Sequence, residues 1–126
     1  MIGYRYNQQI EPPAPFVHVT IRPPHGSTAV VDVPALLDTA ADISVIPASI
    51  AETLGLVPLG EVPIGGFDGR VTRVLTYLVE AAMRQFEPRV IRVVASRDEP
   101  YALLGRDFLN AYRILLDGPQ SRLEIG

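Results

Sequence analysis

The sequence predicts an all-β domain with one or two short helices. Three observations lead to this prediction: apolar residues occur in short runs, many of them are β-branched, and turns containing glycine or proline separate the runs. In residues 16–21, Phe-Val-His-Val-Thr-Ile, every second side chain is a β-branched apolar one, as expected for a strand. Helical spacing is limited to residues 47–54, which begin at Pro47 and precede Gly55, and to residues 108–112.

Further strands are expected at intervals along the chain. They cover residues 28–33, with the apolar run continuing to Leu37, and residues 43–46, 61–64, 71–78, 77–83, 90–95, 103–104, 114–116 and 122–125. Residues 1–15 are polar and rich in proline, so we expect an N-terminal arm there and a domain over residues 16–126. A chain of 126 residues can bury one core but is too short for two comparable domains.

The residue inventory excludes several kinds of catalysis. All eleven basic residues are arginine and the chain has no cysteine, so lysine-dependent phosphate binding, Schiff-base chemistry and thiol catalysis lack their key residue. His18 and His25 have no third ligand near them in the sequence, and no metal site is expected. Ser44 and Ser49 do not lie in a Gly-x-Ser-x-Gly motif, which argues against a serine hydrolase.

Charge and hydropathy bear on partners and location. The net charge is −3 and the arginines are dispersed, so a nucleic-acid partner is not expected. No apolar run reaches the length of a membrane span, and residues 1–7 lack the apolar stretch of a signal peptide. The expectation is a soluble cytoplasmic protein with no membrane partner.

An aspartate stands where an apolar run ends and a turn of small residues begins. Asp38 follows the apolar run 30–37 and precedes Thr39, Ala40 and Ala41. A carboxylate at the end of a buried strand is costly unless it is hydrogen-bonded or shares a proton with a second carboxyl group. Thr39 offers a hydroxyl, and the two alanines leave backbone N–H groups accessible. The alternative is an aspartate that only forms a local turn between two strands.

Two further motifs follow Asp38 along the chain. Residues 63–71, Pro-Ile-Gly-Gly-Phe-Asp-Gly-Arg-Val, predict a glycine-rich hairpin tip between two strands. Residues 103–109, Leu-Leu-Gly-Arg-Asp-Phe-Leu, predict an apolar strand that ends at a glycine and leads into an amphipathic stretch.

The three motifs, in this order, resemble those of the retropepsins, the single-domain aspartic proteases of retroviruses and their cellular and bacterial relatives. The resemblance covers residues 16–116 and implies a retropepsin-like fold and an aspartic endopeptidase that hydrolyses peptide bonds in an extended polypeptide, with no cofactor. The chain holds one Asp-Thr motif, so a second carboxylate must come from another copy. A two-fold homodimer is the natural way to oppose two identical loops.

The resemblance also implies roles for individual residues. Asp38 of each subunit would form the catalytic pair, and Thr39 would join the two loops across the axis by hydrogen bonds. Asp42 matches the position that contacts the substrate backbone. Arg106 matches the arginine that pairs with Asp42 and supports the loop from within the same subunit.

The glycine-rich hairpin matches the flap of the family, which closes over the peptide and excludes water. The matching positions are Gly65, Gly66, Phe67 and Gly69. From the residues alone, an ordinary flexible hairpin is equally compatible with this segment.

Ala40 departs from the family pattern, which has glycine at this substrate-facing position. A methyl group here is expected to crowd the substrate backbone or to strain the turn. The alternative function is therefore a catalytically silent dimerisation or peptide-binding module on the same fold. A retaining glycosidase that uses Asp38 with another carboxylate is a further alternative, but no acid at a recognisable spacing supports it.

Overall fold

The computed structural model of the chain describes residues 1–66 and 68–126. Short strands dominate it, and the prediction of an all-β domain with short helices is confirmed. In chain order the elements are β1 (Ile2–Arg5), β2 (Phe16–Arg22), β3 (Val31–Leu37), β4 (Val45–Pro47), α1 (Ala48–Thr53), β5 (Gly60–Gly65), β6 (Val71–Met83), β7 (Arg89–Ser96), β8 (Ala102–Leu104), α2 (Arg106–Leu109), β9 (Ile114–Asp117) and β10 (Arg122–Ile125).

The main sheet closes into a barrel. Its strands lie in the order β2, β3, β8, β4, β7, β6 and β5, and an additional pairing of β2 with β6 closes the ring. β3 runs parallel to β8 and β4 runs parallel to β7, whereas β2 and β3 are antiparallel. β5 lies outside the ring because, in the part of the chain that the structure describes, it pairs with β6 alone. A smaller antiparallel sheet has the order β1, β10 and β9.

The long strand β6 belongs both to the barrel and to the hairpin that leaves it. Its first part, Val71 to Thr76, pairs with β5, and the part from Thr76 to Ala81 pairs with β7. The sequence predicts two overlapping strands over residues 71–78 and 77–83, but the structure has one continuous strand. The segment contains no glycine or proline that would end a strand, so pairing continues from the hairpin into the barrel.

Alternating side chains of the barrel strands form the core. In β2, Val17, Val19 and Ile21 point inward and are buried, whereas His18 is exposed. Phe108 of α2 is fully buried in the same core. Each such apolar side chain contributes about 1.5–3 kcal/mol when it is removed from water. The core therefore fixes where the ends of the strands lie.

The N-terminal arm contains a strand that the sequence analysis did not predict. β1 pairs with β10 from Ile2 opposite Ile125 to Arg5 opposite Arg122, and Tyr4 packs against the core. Four residues carry little local signal, and their pairing partner is at the opposite end of the chain. The arm is therefore held against the domain by backbone hydrogen bonds at its first residues.

The two helices are shorter than the sequence suggests. α1 begins after Pro47, which is also the last residue of β4, and ends before Gly55. α2 has four residues and ends at Leu109, with Asn110 as its cap. Tyr112 therefore lies beyond the helix and packs on the Phe108 ring from the following turn, with ring centroids 5.4 Å apart. No helix in the described ranges is long and apolar enough to cross a membrane.

Two leucines of the terminal hairpin provide a matched test of the core. Leu123 is fully buried and Leu115 is 52% exposed. We expect Leu123→Ala to lower the free energy of unfolding by about 2–5 kcal/mol, because it leaves a cavity. Leu115→Ala should change it by less than about 0.5 kcal/mol. Urea unfolding of both variants measures the two values, and equal losses would contradict this placement of β10.

Tyr112 should make the fold sensitive to alkaline pH. Burial raises the pKa of its phenol above the ordinary value of 10.0, and the Arg89 guanidinium beside it lowers the pKa by less. Protonated Tyr112 is favoured by the fold, so its contribution to stability is complete below pH 10.0 and is lost as the pH rises through the folded-state pKa. The chain has no lysine or cysteine to titrate in the same range.

Urea unfolding between about pH 9 and pH 11 is the measurement, in steps that bracket the ordinary pKa of tyrosine. We expect the free energy of unfolding to fall less between these pH values in Tyr112→Phe than in the wild type. Burial also raises the pKa of Tyr4, so Tyr4→Phe in the same series separates the two contributions. Identical slopes for the wild type and both variants would refute the expectation.

Candidate active site

Asp38 lies directly after β3, at the point where two parallel strands end together. Leu37 is paired with Leu104 of β8, and the Asp38 N–H donates to the Leu104 carbonyl oxygen at 2.9 Å. The side chain is half-buried. The position of Asp38 is therefore set by the barrel itself rather than by a free loop.

The turn that follows folds back on Asp38. We call residues 38–44 the aspartate loop. The Ala40 N–H donates to Asp38 Oδ1 at 3.2 Å, and the Ala41 N–H donates to the Asp38 carbonyl oxygen at 3.1 Å. Of the two backbone N–H groups expected to be accessible to the carboxylate, that of Ala40 binds it, whereas that of Ala41 binds the main-chain oxygen of Asp38. The carboxylate keeps capacity to accept further hydrogen bonds.

Ala40 is exposed and its backbone is not strained. The non-glycine residues with positive φ in the described part of the chain are His25, Gln85 and Ser121. Ala40 is not one of them, so its conformation is open to any L-amino acid. The expectation that the methyl group strains the turn is therefore wrong, and its effect on a bound substrate stays a prediction.

Arg106 supports the aspartate loop, but not through Asp42. Its guanidinium Nη1 donates to the Thr39 carbonyl oxygen at 2.7 Å. No ion pair joins Arg106 to Asp42 among the described residues, and both side chains are exposed. The predicted pair is wrong because the guanidinium binds an acceptor in the loop backbone, and Asp42 is exposed. Asp42 remains available to a ligand.

Two residues that the sequence analysis did not assign form the main polar contact of the loop. Ser44 is 1% exposed, and its Oγ donates to Asp107 Oδ1 at 2.7 Å. The Ser44 N–H donates to Asp107 Oδ2 at 3.0 Å, and Ser44 Oγ accepts from the Gly105 N–H at 2.9 Å. Residue types alone mark Ser44 as a possible nucleophile and Asp107 as one residue of the motif 103–109. Their spacing of 63 residues gave no local signal.

The glycine-rich hairpin forms a tight exposed turn. The Gly66 N–H donates to the Arg70 carbonyl oxygen at 2.9 Å, and Gly69 has φ of +78°, a conformation that favours glycine. Asp68 Oδ1 accepts from the Arg70 N–H at 3.0 Å and so closes the turn. Arg70 Nε and Asp68 Oδ2 form an exposed ion pair at 3.6 Å. The predicted glycine-rich hairpin is confirmed in these residues. Phe67 lies outside the described residues.

The hairpin and the aspartate loop face a common space. A cavity of about 470 Å³ is lined by Asp42 and Ile43 of the loop, by Ile64 of β5 and by Asp107. A second cavity of about 500 Å³ extends from Ile64 and Gly66 to the barrel residues Val45 and Leu103. Both are open and mostly apolar on their barrel side, which suits extended chain with apolar side chains. Among the described residues, no group of three or more histidine, aspartate or glutamate side chains is placed to hold a metal ion.

A family model described as gag-polyprotein putative aspartyl protease matches residues 26–111, which include the aspartate loop, the hairpin, β8 and α2. The chain belongs to the retropepsin-like aspartyl protease family. No curated protein matches the sequence.

Solved structures with the same fold come from viruses and a bacterium. EIAV protease in complex with the inhibitor HBY-793 has a TM-score of 0.62 and 24% identity, covering 78% of this chain and 86% of that one. The protease of simian foamy virus (mac) has a TM-score of 0.53 and 21% identity, covering 73% and 88%. A retropepsin-like aspartic protease from Rickettsia conorii has a TM-score of 0.64 and 14% identity, covering 97% and 86%. At these identities the likeness shows the retropepsin-like fold.

Removing Arg106 and removing Asp107 should have different effects on stability. We expect Arg106→Ala to lower the free energy of unfolding by about 1 kcal/mol or less, because an exposed hydrogen bond is lost. Asp107→Ala should cost about 2–4 kcal/mol, because the buried Ser44 hydroxyl and N–H lose their acceptor. Urea midpoints at constant m-value give both numbers. A larger loss for Arg106→Ala than for Asp107→Ala would contradict the assignment of these contacts.

Proposed function

We propose that this protein is an aspartic endopeptidase that cleaves extended polypeptides as a homodimer. The observation that carries the proposal is the position of Asp38: its backbone is fixed at the ends of two parallel strands, and its carboxylate remains half-exposed in a short turn. Membership of the aspartyl protease family supports the same conclusion.

The chemistry needs two Asp38 carboxylates, one from each subunit. Two carboxylates a few ångströms apart do not both ionise easily, so the pair shares one proton. The ionised member takes a proton from water, and that water attacks the peptide carbonyl carbon. The protonated member donates its proton to the carbonyl oxygen, which gives a tetrahedral diol. The member that gained the water proton then donates it to the amide nitrogen, the other member takes a proton from one hydroxyl, and the C–N bond breaks to release the amine and the carboxylic acid. The pair acts as one unit, and neither Asp38 is sufficient alone.

The surrounding residues have distinct supporting roles. Thr39 is exposed at the tip of the loop, and its hydroxyl would join the partner's loop across the axis, while its carbonyl oxygen is held by Arg106. Asp42 is exposed and lines the cavity beside β5, where its carboxylate would accept hydrogen bonds from substrate N–H groups. Ala40 would lie next to the substrate backbone, as the exposed residue after Thr39.

The flap would close over the bound peptide. Gly65, Gly66 and Gly69 are exposed, and Gly65 pairs with Val71 at the last register position before the turn. Because glycine has no Cβ, the backbone of the turn can approach a peptide closely. Phe67 belongs to this proposal as a substrate contact on the basis of its position in the sequence. Closure would exclude water other than the nucleophile.

A silent peptide-binding or dimerisation module is the second candidate, and Ala40 is the feature that favours it. Such a module would bind peptides in the same cavities and would not turn them over. Cleavage assays on a diverse peptide pool, together with a binding assay on the same pool, separate the two functions.

Asp38→Asn should abolish cleavage and leave the fold intact. The amide keeps the volume of the carboxylate but cannot share its proton, so the loss should exceed about 1,000-fold. Asp32→Asn is the control, because Asp32 is an exposed aspartate on the same strand, outside the aspartate loop. Turnover retained by Asp38→Asn would reject the protease proposal. Peptide binding without turnover by the wild type would favour the silent module.

Activity per subunit should fall on dilution. If the site is made of two Asp38 residues, dissociation removes it, and mass action sets the loss to follow the fraction of monomer. Specific activity and sedimentation velocity are measured over the same concentration series. Constant activity per subunit in a range where sedimentation shows monomers would refute the dimeric site.

A further inference from the structure

We propose that Asp107 and Ser44 are positioning residues of the reaction, whose hydrogen-bonded contact holds the aspartate loop in its productive orientation. We call this contact the Ser44–Asp107 clamp. The inference rests on the proposed function for its kinetic consequence, while the loop order that it requires is measurable without any activity.

The clamp uses both oxygens of one carboxylate. Asp107 Oδ1 accepts from Ser44 Oγ at 2.7 Å and from the Phe108 N–H at 3.0 Å, and Oδ2 accepts from the Ser44 N–H at 3.0 Å. Hydrogen bonds to a carboxylate are stronger than those between neutral groups. Because both oxygens of Asp107 bind Ser44, the carboxylate fixes the orientation of Ser44 as well as its distance. The clamp therefore sets both the position and the orientation of Ser44.

The segment that carries Asp107 contacts the loop along its whole length. The Leu104 carbonyl oxygen accepts from the Asp38 N–H at 2.9 Å, at the start of the loop. The Arg106 N–H donates to the Ala41 carbonyl oxygen at 2.9 Å, in its middle. The clamp binds its last residue. Three successive contacts thus align the aspartate loop with residues 104–107.

Gly105 allows these two segments to approach closely. A Cβ atom at this position would lie 3.0 Å from the Ala41 carbonyl oxygen and 3.0 Å from the backbone carbon of Ile43. The Gly105 N–H in turn donates to Ser44 Oγ at 2.9 Å. The Ser44 hydroxyl therefore donates to Asp107 and accepts from Gly105, and alanine at position 44 would leave both groups without this partner.

The Asp38 carboxylate depends on this alignment because its own local contact is weak. Within the described residues, its hydrogen bond comes from the Ala40 N–H at 3.2 Å, and that N–H belongs to the same loop. Arg106 holds the tip of the loop from an exposed position. The clamp ties the loop to the domain through the buried side chain of Ser44 and the half-buried one of Asp107. Its loss would shift the Asp38 carboxylate relative to its partner while the barrel stays folded.

The kinetic test uses a peptide that the wild type cleaves. We expect Ser44→Ala and Asp107→Asn each to lower kcat about 10- to 100-fold, because a displacement of the order of 1 Å at the reacting groups has an effect of this size. KM should change by less than about threefold, since Ser44 is buried and both oxygens of Asp107 are already bound within the chain, so that ground-state binding is kept. Ser44→Thr keeps the hydroxyl and should retain kcat to within about threefold of the wild type.

Two further variants separate positioning from a general loss of structure. The double variant Ser44→Ala/Asp107→Asn should be no slower than the slower single variant, because both changes break the same contact. Asp117→Asn is the charge-matched control: Asp117 accepts from the Gln120 N–H at 3.2 Å in the terminal hairpin. It removes the same charge and one turn contact and should leave kcat unchanged. Equal effects on kcat of Asp117→Asn and Asp107→Asn would overturn the inference.

Amide hydrogen exchange measures the loop directly, with or without cleavage. In Ser44→Ala and Asp107→Asn, the Ala41 and Ser44 amides should exchange at least about tenfold faster than in the wild type, whereas core amides such as Val79 and Val93 should keep their order of protection. If the wild type cleaves no peptide, the proposed function fails, and the exchange result alone decides whether the clamp orders the loop. Unchanged loop exchange, or kcat equal to that of the wild type in Ser44→Ala, would overturn the inference.

Discussion

Much of this structure depends on the parallel pairing of β3 with β8, which brings residues far apart in the chain to one edge of the barrel. The two strands end together, and the residues that follow each of them are held in contact by backbone hydrogen bonds. Asp38 follows β3 and accepts from the Ala40 N–H, and Asp107 lies shortly after β8 and accepts from the buried Ser44. These hydrogen bonds satisfy polar groups that would be costly if left without partners. The barrel closes around this junction.

The acidic side chains near the junction differ in whether they are bound within the chain. Asp107 lies on the inner side of the aspartate loop and has both oxygens bound within the chain, whereas Asp42 is exposed beside the cavity. Both acids line the same cavity but differ in environment, since Asp107 is hydrogen-bonded within the chain and Asp42 is exposed. Arg106 also supports the aspartate loop from within the chain, although its side chain is exposed. Its acceptor is a loop carbonyl oxygen rather than a carboxylate.

The sequence was sufficient for the features whose signal is local. Alternating apolar residues in β2, the turn glycines of the hairpin and the small residues after Asp38 all indicate their structure within a few positions. The features that sequence analysis missed depend on pairing between distant segments. β1 finds its partner in β10, and Ser44 finds Asp107 63 residues away. The partner of Arg106 was also misassigned, since the choice between a carboxylate and a backbone oxygen depends on a loop conformation that residue types alone do not specify.

The continuity of β6 has a mechanical consequence for the hairpin. The strand passes from the hairpin into the barrel at Thr76, whose buried hydroxyl donates to the Gly60 carbonyl oxygen at 3.2 Å and accepts from the Arg92 guanidinium at 2.9 Å. Paired backbone lies on both sides of Thr76, so a stiff, continuous strand joins the hairpin to the barrel there. Movement of the tip would then be elastic bending of one ribbon, with a restoring force, rather than the ordering of a slack loop. If the hairpin bends over a ligand, little chain entropy would be lost. The stiffness of the ribbon at Thr76 would limit this bending.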